Sequence, residues 1–174
     1  MMLPTHRSDR VLLPVSMIFV WFSMVLAVIL SCIPVGRFLA MPDFVALVLA
    51  FWCVREPHRI GMGAGFILGI TVDVIVGSVM GQHATAYVLL AWAAVINARR
   101  LLWFSPAVQS LYMVPMFFMV QLVMLLLRMA AGGRFPGWEY FFTCFTTAIL
   151  WLPVYYLLLL PQMRPIDRDE NRPL

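Results

Sequence analysis

The sequence contains no lysine, and only 11% of its 174 residues are charged. A soluble domain carries about 25% charged residues, so a chain this poor in charge, with a mean hydropathy of +0.93, is expected to be a membrane protein. No stretch is polar enough to form a second, water-soluble domain. All 12 basic residues are arginines, and they form no patch interleaved with exposed aromatic residues. Nucleic acid is therefore not expected as a partner.

Residues that carry chemistry are also scarce. The three cysteines lie in or beside apolar runs without CxxC spacing, and we expect them to pack as small hydrophobic side chains. The three histidines, His6, His58 and His83, are too scattered to predict a metal site. No Ser-His-Asp set, carboxylate pair, HExxH motif or phosphate-binding loop can be assembled. We therefore expect no cofactor, no metal and no enzymatic activity.

Long apolar runs without alternation predict membrane-spanning helices rather than a barrel. Six are predicted, at residues 11–33, 42–54, 60–80, 84–97, 106–129 and 139–160. The second and fourth are short for a bilayer that needs roughly 20 helical residues. The predicted fold is an all-α polytopic membrane protein, a single bundle of six transmembrane helices over residues 11–161 between tails at 1–10 and 162–174.

The arginines predict the orientation of this bundle, because basic residues in short loops are retained in the cytoplasm. With both termini inside, nine arginines are cytoplasmic: Arg7, Arg10, Arg55, Arg59, Arg99, Arg100, Arg164, Arg168 and Arg172. Three lie on the opposite side: Arg37, Arg128 and Arg134. This asymmetry favours an even number of spans. It predicts a multi-pass inner-membrane protein with both tails in the cytoplasm.

The third predicted helix carries a ladder of small residues around one carboxylate. Its members follow at four-residue spacing: Gly65, Gly69, Asp73, Gly77 and Gly81. Residues four apart advance by roughly 40° around a helix, so the five form one slanted stripe. Because small residues let membrane helices approach closely, we expect this stripe to pack against a neighbouring helix.

Asp73 needs a further explanation, because an ionisable group at membrane depth costs at least ~2.5–3.5 kcal/mol on insertion scales. Three interpretations are open: a structural polar anchor, a determinant of a partner interface or conformation, and a ligand or proton site. Gln121, in the fifth helix, is expected to form an interhelical hydrogen bond. The same expectation applies to Thr143, Thr146 and Thr147.

Two short motifs lie at helix ends. Pro57-His58-Arg59 follows the second helix, and we interpret it as a rigid turn that holds a basic pair at the lipid headgroups. Pro42-Asp43 begins the second helix. A carboxylate at that position is favoured by the helix dipole.

Together these motifs resemble the MreD family of rod shape-determining proteins. The resemblance rests on Pro42-Asp43-Phe44, on Pro57-His58-Arg59, and on Gly65-Phe66 followed by Gly69, Asp73, Gly77 and Gly81. It covers nearly the whole chain and is most specific over residues 42–86.

The resemblance implies a non-enzymatic component of the elongation (rod) complex in the bacterial inner membrane. Members of the family associate with the bitopic protein MreC, and through it with the MreB filament, the RodA polymerase and a penicillin-binding transpeptidase. The leading prediction is therefore a scaffold that binds an MreC-like partner and supports peptidoglycan synthesis and cell shape. The resemblance also implies a bundle similar to the substrate-binding subunits of energy-coupling transporters.

Two other hypotheses are kept. The first is a solute-binding or transport subunit with Asp73 and Gln121 in a midplane polar site. The second is an intramembrane enzyme or lipid transferase, for which no nucleophile and base can be proposed. Membrane lipids are a further expected partner, because Arg59, Arg99 and Arg100 could hold anionic headgroups.

Overall fold

The computed structural model describes residues 15–32 and 41–162, and six α-helices lie in these ranges. They are α1 (Met17–Cys32), α2 (Phe44–Arg55), α3 (Met62–Val76), α4 (Gln82–Leu102), α5 (Pro106–Ala130) and α6 (Phe142–Leu159). Short 3-10 turns precede and follow α6, at Trp138–Phe141 and Leu160–Gln162. The predicted tail 1–10, nearly all of the tail 162–174 and residues 11–14 and 33 of the predicted first helix lie outside the described residues.

Helix α2 forms the centre of the bundle. All residues from 45 to 54 are buried, and α2 packs against α1, α4 and α6. A helix that is apolar on every side is stable only when it is surrounded. The side chain of Trp52 forms a buried hydrogen bond to α1, in which Nε1 donates to Ser23 Oγ at 2.8 Å. The prediction of a short second helix is confirmed, because α2 has 12 residues.

The first half of the glycine ladder brings α3 against α4. A Cβ on Gly65 would lie 2.7 Å from the carbonyl oxygen of Tyr87, and a Cβ on Gly69 would overlap the backbone of Ala84. No side chain larger than hydrogen fits between these backbones. The interpretation of these two glycines as packing residues is confirmed.

The second half of the ladder was interpreted wrongly. Helix α3 ends at Val76, four residues before the predicted end, and Asp73 lies in its last turn. Gly77 and Gly81 have left-handed φ angles of 68° and 93°, and nothing lies within 4 Å of a Cβ placed on either. They form the turn between α3 and α4, since a left-handed glycine ends many helices.

The predicted length of the fourth helix was also wrong. Helix α4 has 21 residues and continues through Asn97, where we predicted its end, and through Arg99 and Arg100. Asn97 Nδ2 donates to the carbonyl oxygen of Ala93 at 2.9 Å within the helix. The two arginines lie exposed in its last turn, where cations are favoured by the helix dipole.

Within residues 15–32 and 41–162, three segments are long and apolar enough to cross a membrane: α4, α5 and the stretch from Trp138 to Gln162. Helices α1, α2 and α3 are apolar but shorter. The bundle exposes large hydrophobic side chains, such as Ile18 at 82%, Leu111 at 71% and Ile149 at 70%. An exterior of this kind is that of a membrane protein.

Replacing Gly69 by alanine should separate α3 from α4. We expect Gly69→Ala to lower the free energy of unfolding by about 1–3 kcal/mol, because the new methyl group meets backbone that cannot rotate away. The measurement is the thermal unfolding midpoint of the purified protein in detergent. Gly63→Ala is the matched control, since nothing lies within 4 Å of its Cβ and alanine favours helix. Equal midpoints for the two variants would contradict the close contact.

Candidate functional site

Polar side chains gather at one end of the bundle, where α3 ends and where α2 and α4 begin. We call Asp43, Asp73, Ser78, His83 and Tyr87 the polar cluster. Hydrogen bonds and one aromatic contact connect its members. The cluster thus forms where three helix termini meet, and these termini carry backbone groups that need partners.

Asp73 is the most heavily bonded member of the cluster. Its Oδ1 accepts from Ser78 Oγ at 2.6 Å, and from the backbone N and Nδ1 of His83 at 2.9 and 2.7 Å. Its Oδ2 accepts from the backbone N of Gly81 at 2.9 Å and of Ala84 at 3.4 Å. The carboxylate, 2% exposed, therefore caps α4 from the preceding helix. Of the three interpretations of Asp73, this geometry favours the structural anchor.

One nitrogen of the His83 imidazole, Nδ1, is hydrogen-bonded to Asp73, and the other, Nε2, is available for a further hydrogen bond. Because a carboxylate only accepts, Nδ1 carries the proton that it shares with Asp73. No hydrogen bond to Nε2 is formed by the described residues. The ring packs edge-on against Tyr87, with centroids 5.8 Å apart.

Asp43 performs a similar task for α2. Its Oδ1 accepts from the backbone N of Ala46 at 2.9 Å, which confirms that it stabilises the start of this helix. The hydroxyl of Tyr87 lies 2.9 Å from Oδ1 and 3.0 Å from Oδ2. The backbone N of Asp43 donates to Thr147 Oγ1 at 3.0 Å, which is the interhelical bond expected of this threonine. The start of α2 is thereby joined to α4 and α6.

Two adjoining cavities open beside the polar cluster. The larger, of about 560 Å³, reaches Arg128 and Gln82, and the smaller, of about 240 Å³, reaches Asp43 and Gln121. His83 lines both, as do Val76 and Tyr140. Within the described residues no three side chains of His, Cys, Asp or Glu group closely enough to hold a metal ion.

Gln121 departs from its prediction. It is 4% exposed, and its side-chain oxygen has no hydrogen-bond partner among the described residues. The interhelical bond that we expected is absent there, and the side chain lines the smaller cavity. A buried polar group left unpaired costs about 1–3 kcal/mol.

The other predicted motif lies elsewhere. Pro57, His58 and Arg59 form the turn after α2, at the opposite end of that helix from Asp43. His58 and Arg59 are exposed, and Arg59 Nε lies 4.0 Å from Glu56 Oε2. The structure therefore brings Asp43, Asp73 and Gly81 together but leaves this motif out.

Ser78, His83 and Tyr87 were not predicted to be site residues. A signal for the first two was present: a glycine that ends one helix, followed closely by a glycine before the next, predicts a tight turn whose amide groups need an acceptor. Asp73 is the acidic residue nearest to that turn. Tyr87 offered no comparable signal, because its contact with Asp43 joins residues distant in sequence.

The fold and the site define a helical membrane protein in which two aspartates cap helices. Comparison with known proteins gives the family. The model of the rod shape-determining protein MreD family matches residues 9–160. The rod shape-determining protein MreD of Haemophilus influenzae is 32% identical over 129 residues, which cover 72% of this chain and 77% of that protein. The chain belongs to the MreD family, and no solved structure matches it.

We expect the protein to be less stable when asparagine replaces Asp73. Both carboxylate oxygens face backbone N–H groups, so the amide NH₂ of Asp73→Asn would point at a donor in either orientation. We expect a loss of about 3 kcal/mol in the free energy of unfolding, measured as a lower thermal midpoint in detergent. Thr71→Ala is the control in the same helix, because Thr71 is exposed and bonds only to Ile67. A fully stable Asp73→Asn protein would contradict the capping role.

Proposed function

We propose that this protein is a non-enzymatic component of the elongation complex in the bacterial inner membrane, where it binds an MreC-like bitopic protein. Through that partner it supports the MreB filament, RodA and a penicillin-binding transpeptidase during peptidoglycan synthesis. Family membership over residues 9–160 carries the proposal, because the family determines rod shape. The described residues support it, since they form almost entirely apolar helix.

The outer surface of the bundle suits a partner helix. On α1 and α3 the exposed side chains include Phe22, Val25, Phe66 and Ile67. Helices associate in lipid through van der Waals packing rather than through release of water. A single transmembrane helix of a bitopic partner would therefore replace lipid along such a surface at little cost.

We propose that all six helices cross the membrane and that both termini are cytoplasmic. Arg55 ends α2 and Arg59 follows it, and Arg99 and Arg100 lie in the last turn of α4, so these four lie at one end of the bundle. The polar cluster lies at the other end. The positive-inside rule then assigns the arginine-rich end to the cytoplasm and the polar cluster to the outer side. Arg99 and Arg100 would meet anionic headgroups there.

The orientation is testable with single cysteines. We expect a membrane-impermeant maleimide applied to intact spheroplasts to label Phe135→Cys but not His58→Cys, because the two exposed positions lie at opposite ends. Both proteins carry Cys32→Ser, since Cys32 is exposed while Cys53 and Cys144 are buried. Permeabilised cells should label both positions. Labelling of His58→Cys alone in intact spheroplasts would invert the proposed topology.

The partner is testable in a rod-shaped host that lacks its own MreD. We expect the wild-type protein to restore rod shape and to recover MreC when it is purified from detergent. Gly63→Ala should do the same, whereas Asp73→Asn should restore shape only in proportion to its reduced protein level, because it acts through folding. The measurements are cell shape, protein level in the membrane and MreC recovery. A well-expressed wild type that neither restores shape nor recovers MreC would refute the scaffold.

The solute-binding alternative is less favoured at Asp73. Five donors occupy its two oxygens, so a ligand would have to displace a helix cap. The likeness to transporter subunits remains a proposal. The hydrogen bonds of Asp73 do not support it.

A further inference from the structure

We propose that the two adjoining cavities form one binding site for a small molecule that carries a phosphate group next to hydroxyl groups. Asp73 is not a ligand residue in this proposal; Gln121, Arg128 and His83 are. The inference rests on the cavities and not on the proposed partner, so either can fail without the other.

Helix α5 forms one wall of the site. Gln121, Met124 and Arg128 follow at spacings of three and four residues, which places them on one face of the helix. Gln121 and Met124 line the smaller cavity, and Arg128 lines the larger. Gln121 and Arg128 are two turns apart, or about 10 Å along the axis. A buried neutral amide therefore lies at one end of the site and a cation at the other.

The facing walls supply further polar groups. His83 lines both cavities, and its Nε2 is the nitrogen that Asp73 leaves available. Thr143 and Asp43 line the smaller cavity. These groups can accept hydrogen bonds from hydroxyls of a ligand. The site thus combines acceptors in its deeper part with a positive charge at its wider part.

Gln121 gives the independent sign that this space is meant to be occupied. Its side chain is 4% exposed, its oxygen is unpaired among the described residues, and it borders the cavity. Native proteins pair most buried polar groups, so an unpaired one needs an explanation. The oxygen itself is enclosed, so a half-turn of the amide, which exchanges its oxygen and nitrogen, would present the oxygen to a hydroxyl of a bound molecule in the cavity.

Arg128 selects the charge of that molecule. It lines the larger cavity, and no carboxylate of the described residues lies within 4 Å of its side-chain nitrogens. An arginine without an acidic partner is suited to a phosphate, which it binds through several N–H groups. Val76 and Val79 line the same cavity and are 59% and 43% exposed. The phosphate can therefore belong to a lipid headgroup or to a soluble molecule.

Two probes separate these sources. The first is phosphatidylglycerol, offered in mixed vesicles with phosphatidylcholine and detected by native mass spectrometry as lipid retained on the purified full-length protein. The second is soluble glycerol 3-phosphate, measured by equilibrium dialysis with the protein in phosphatidylcholine nanodiscs. Retention of the lipid alone assigns a headgroup site. Binding of glycerol 3-phosphate assigns a site for soluble phosphates.

The variants give the decisive comparison. We expect Gln121→Leu and Arg128→Gln each to weaken binding of the retained probe by about tenfold, as expected for loss of one hydrogen bond to a charged or buried group. Gln121→Leu should also raise the thermal midpoint of the ligand-free protein, because it removes an unpaired buried group. In Gln121→Leu the affinity for the probe then falls while the thermal midpoint rises. A merely structural role of Gln121 would not produce this combination.

Two variants serve as matched controls. Arg134→Gln removes an arginine that is exposed like Arg128 but lines neither cavity, and Gln109→Leu removes another buried glutamine of α5 that lies outside them. Both should bind the probe like wild type. The proposal is overturned if neither probe binds to the wild-type protein. It is equally overturned if Gln121→Leu and Arg128→Gln bind as well as the controls do.

Discussion

The rest of this end of the protein depends on the hydrogen bonds that the carboxylate of Asp73 accepts. It belongs to α3, yet three of its five donors are backbone N–H groups at the start of α4. The same contact fixes the imidazole of His83 through Nδ1. Close packing at Gly65 and Gly69 requires α4 to start at one place and in one direction. The cap and the glycine contact are therefore two parts of one constraint, because each positions the helix for the other.

Enclosure within the bundle explains why Asp43 and Asp73 serve as caps. Where neighbouring helices exclude water, the free N–H groups of a helix terminus need acceptors from the protein itself. Asp43 caps α2 and Asp73 caps α4. Tyr87 then connects Asp43 to α4 through its hydroxyl, so the two caps are coupled through one helix. Each carboxylate thus supplies the acceptors that water supplies at an exposed helix end.

The sequence predicted the helix count, the short α2, the bounds of α5 to within one residue and the contact face of Gly65 and Gly69. These features follow from local apolar runs and from the need of small residues to pack. It could not predict where α3 ends, because Gly77 fits the four-residue spacing of a packing stripe and also the left-handed end of a helix. Nor could it place His83 beside Asp73, since that contact depends on a turn hidden within the same spacing. The predicted end of α4 came before Arg99 and Arg100, because a charged pair can close a helix as well as interrupt it.

The contrast between Asp73 and Gln121 separates the anchor from the cavity. Both are buried polar residues within apolar helices, and one of the hypotheses from the sequence placed them in a shared ligand site. The structure gives Asp73 more donors than any other side chain of the cluster and leaves the oxygen of Gln121 with none among the described residues. A group that is fully paired gains nothing from a ligand, whereas an unpaired group beside a cavity gains a hydrogen bond. In the proposed site the ligand therefore contacts Gln121 and Arg128 of α5 and His83 of α4, whereas Asp73 supports the cavity wall through its hydrogen bonds to the start of α4.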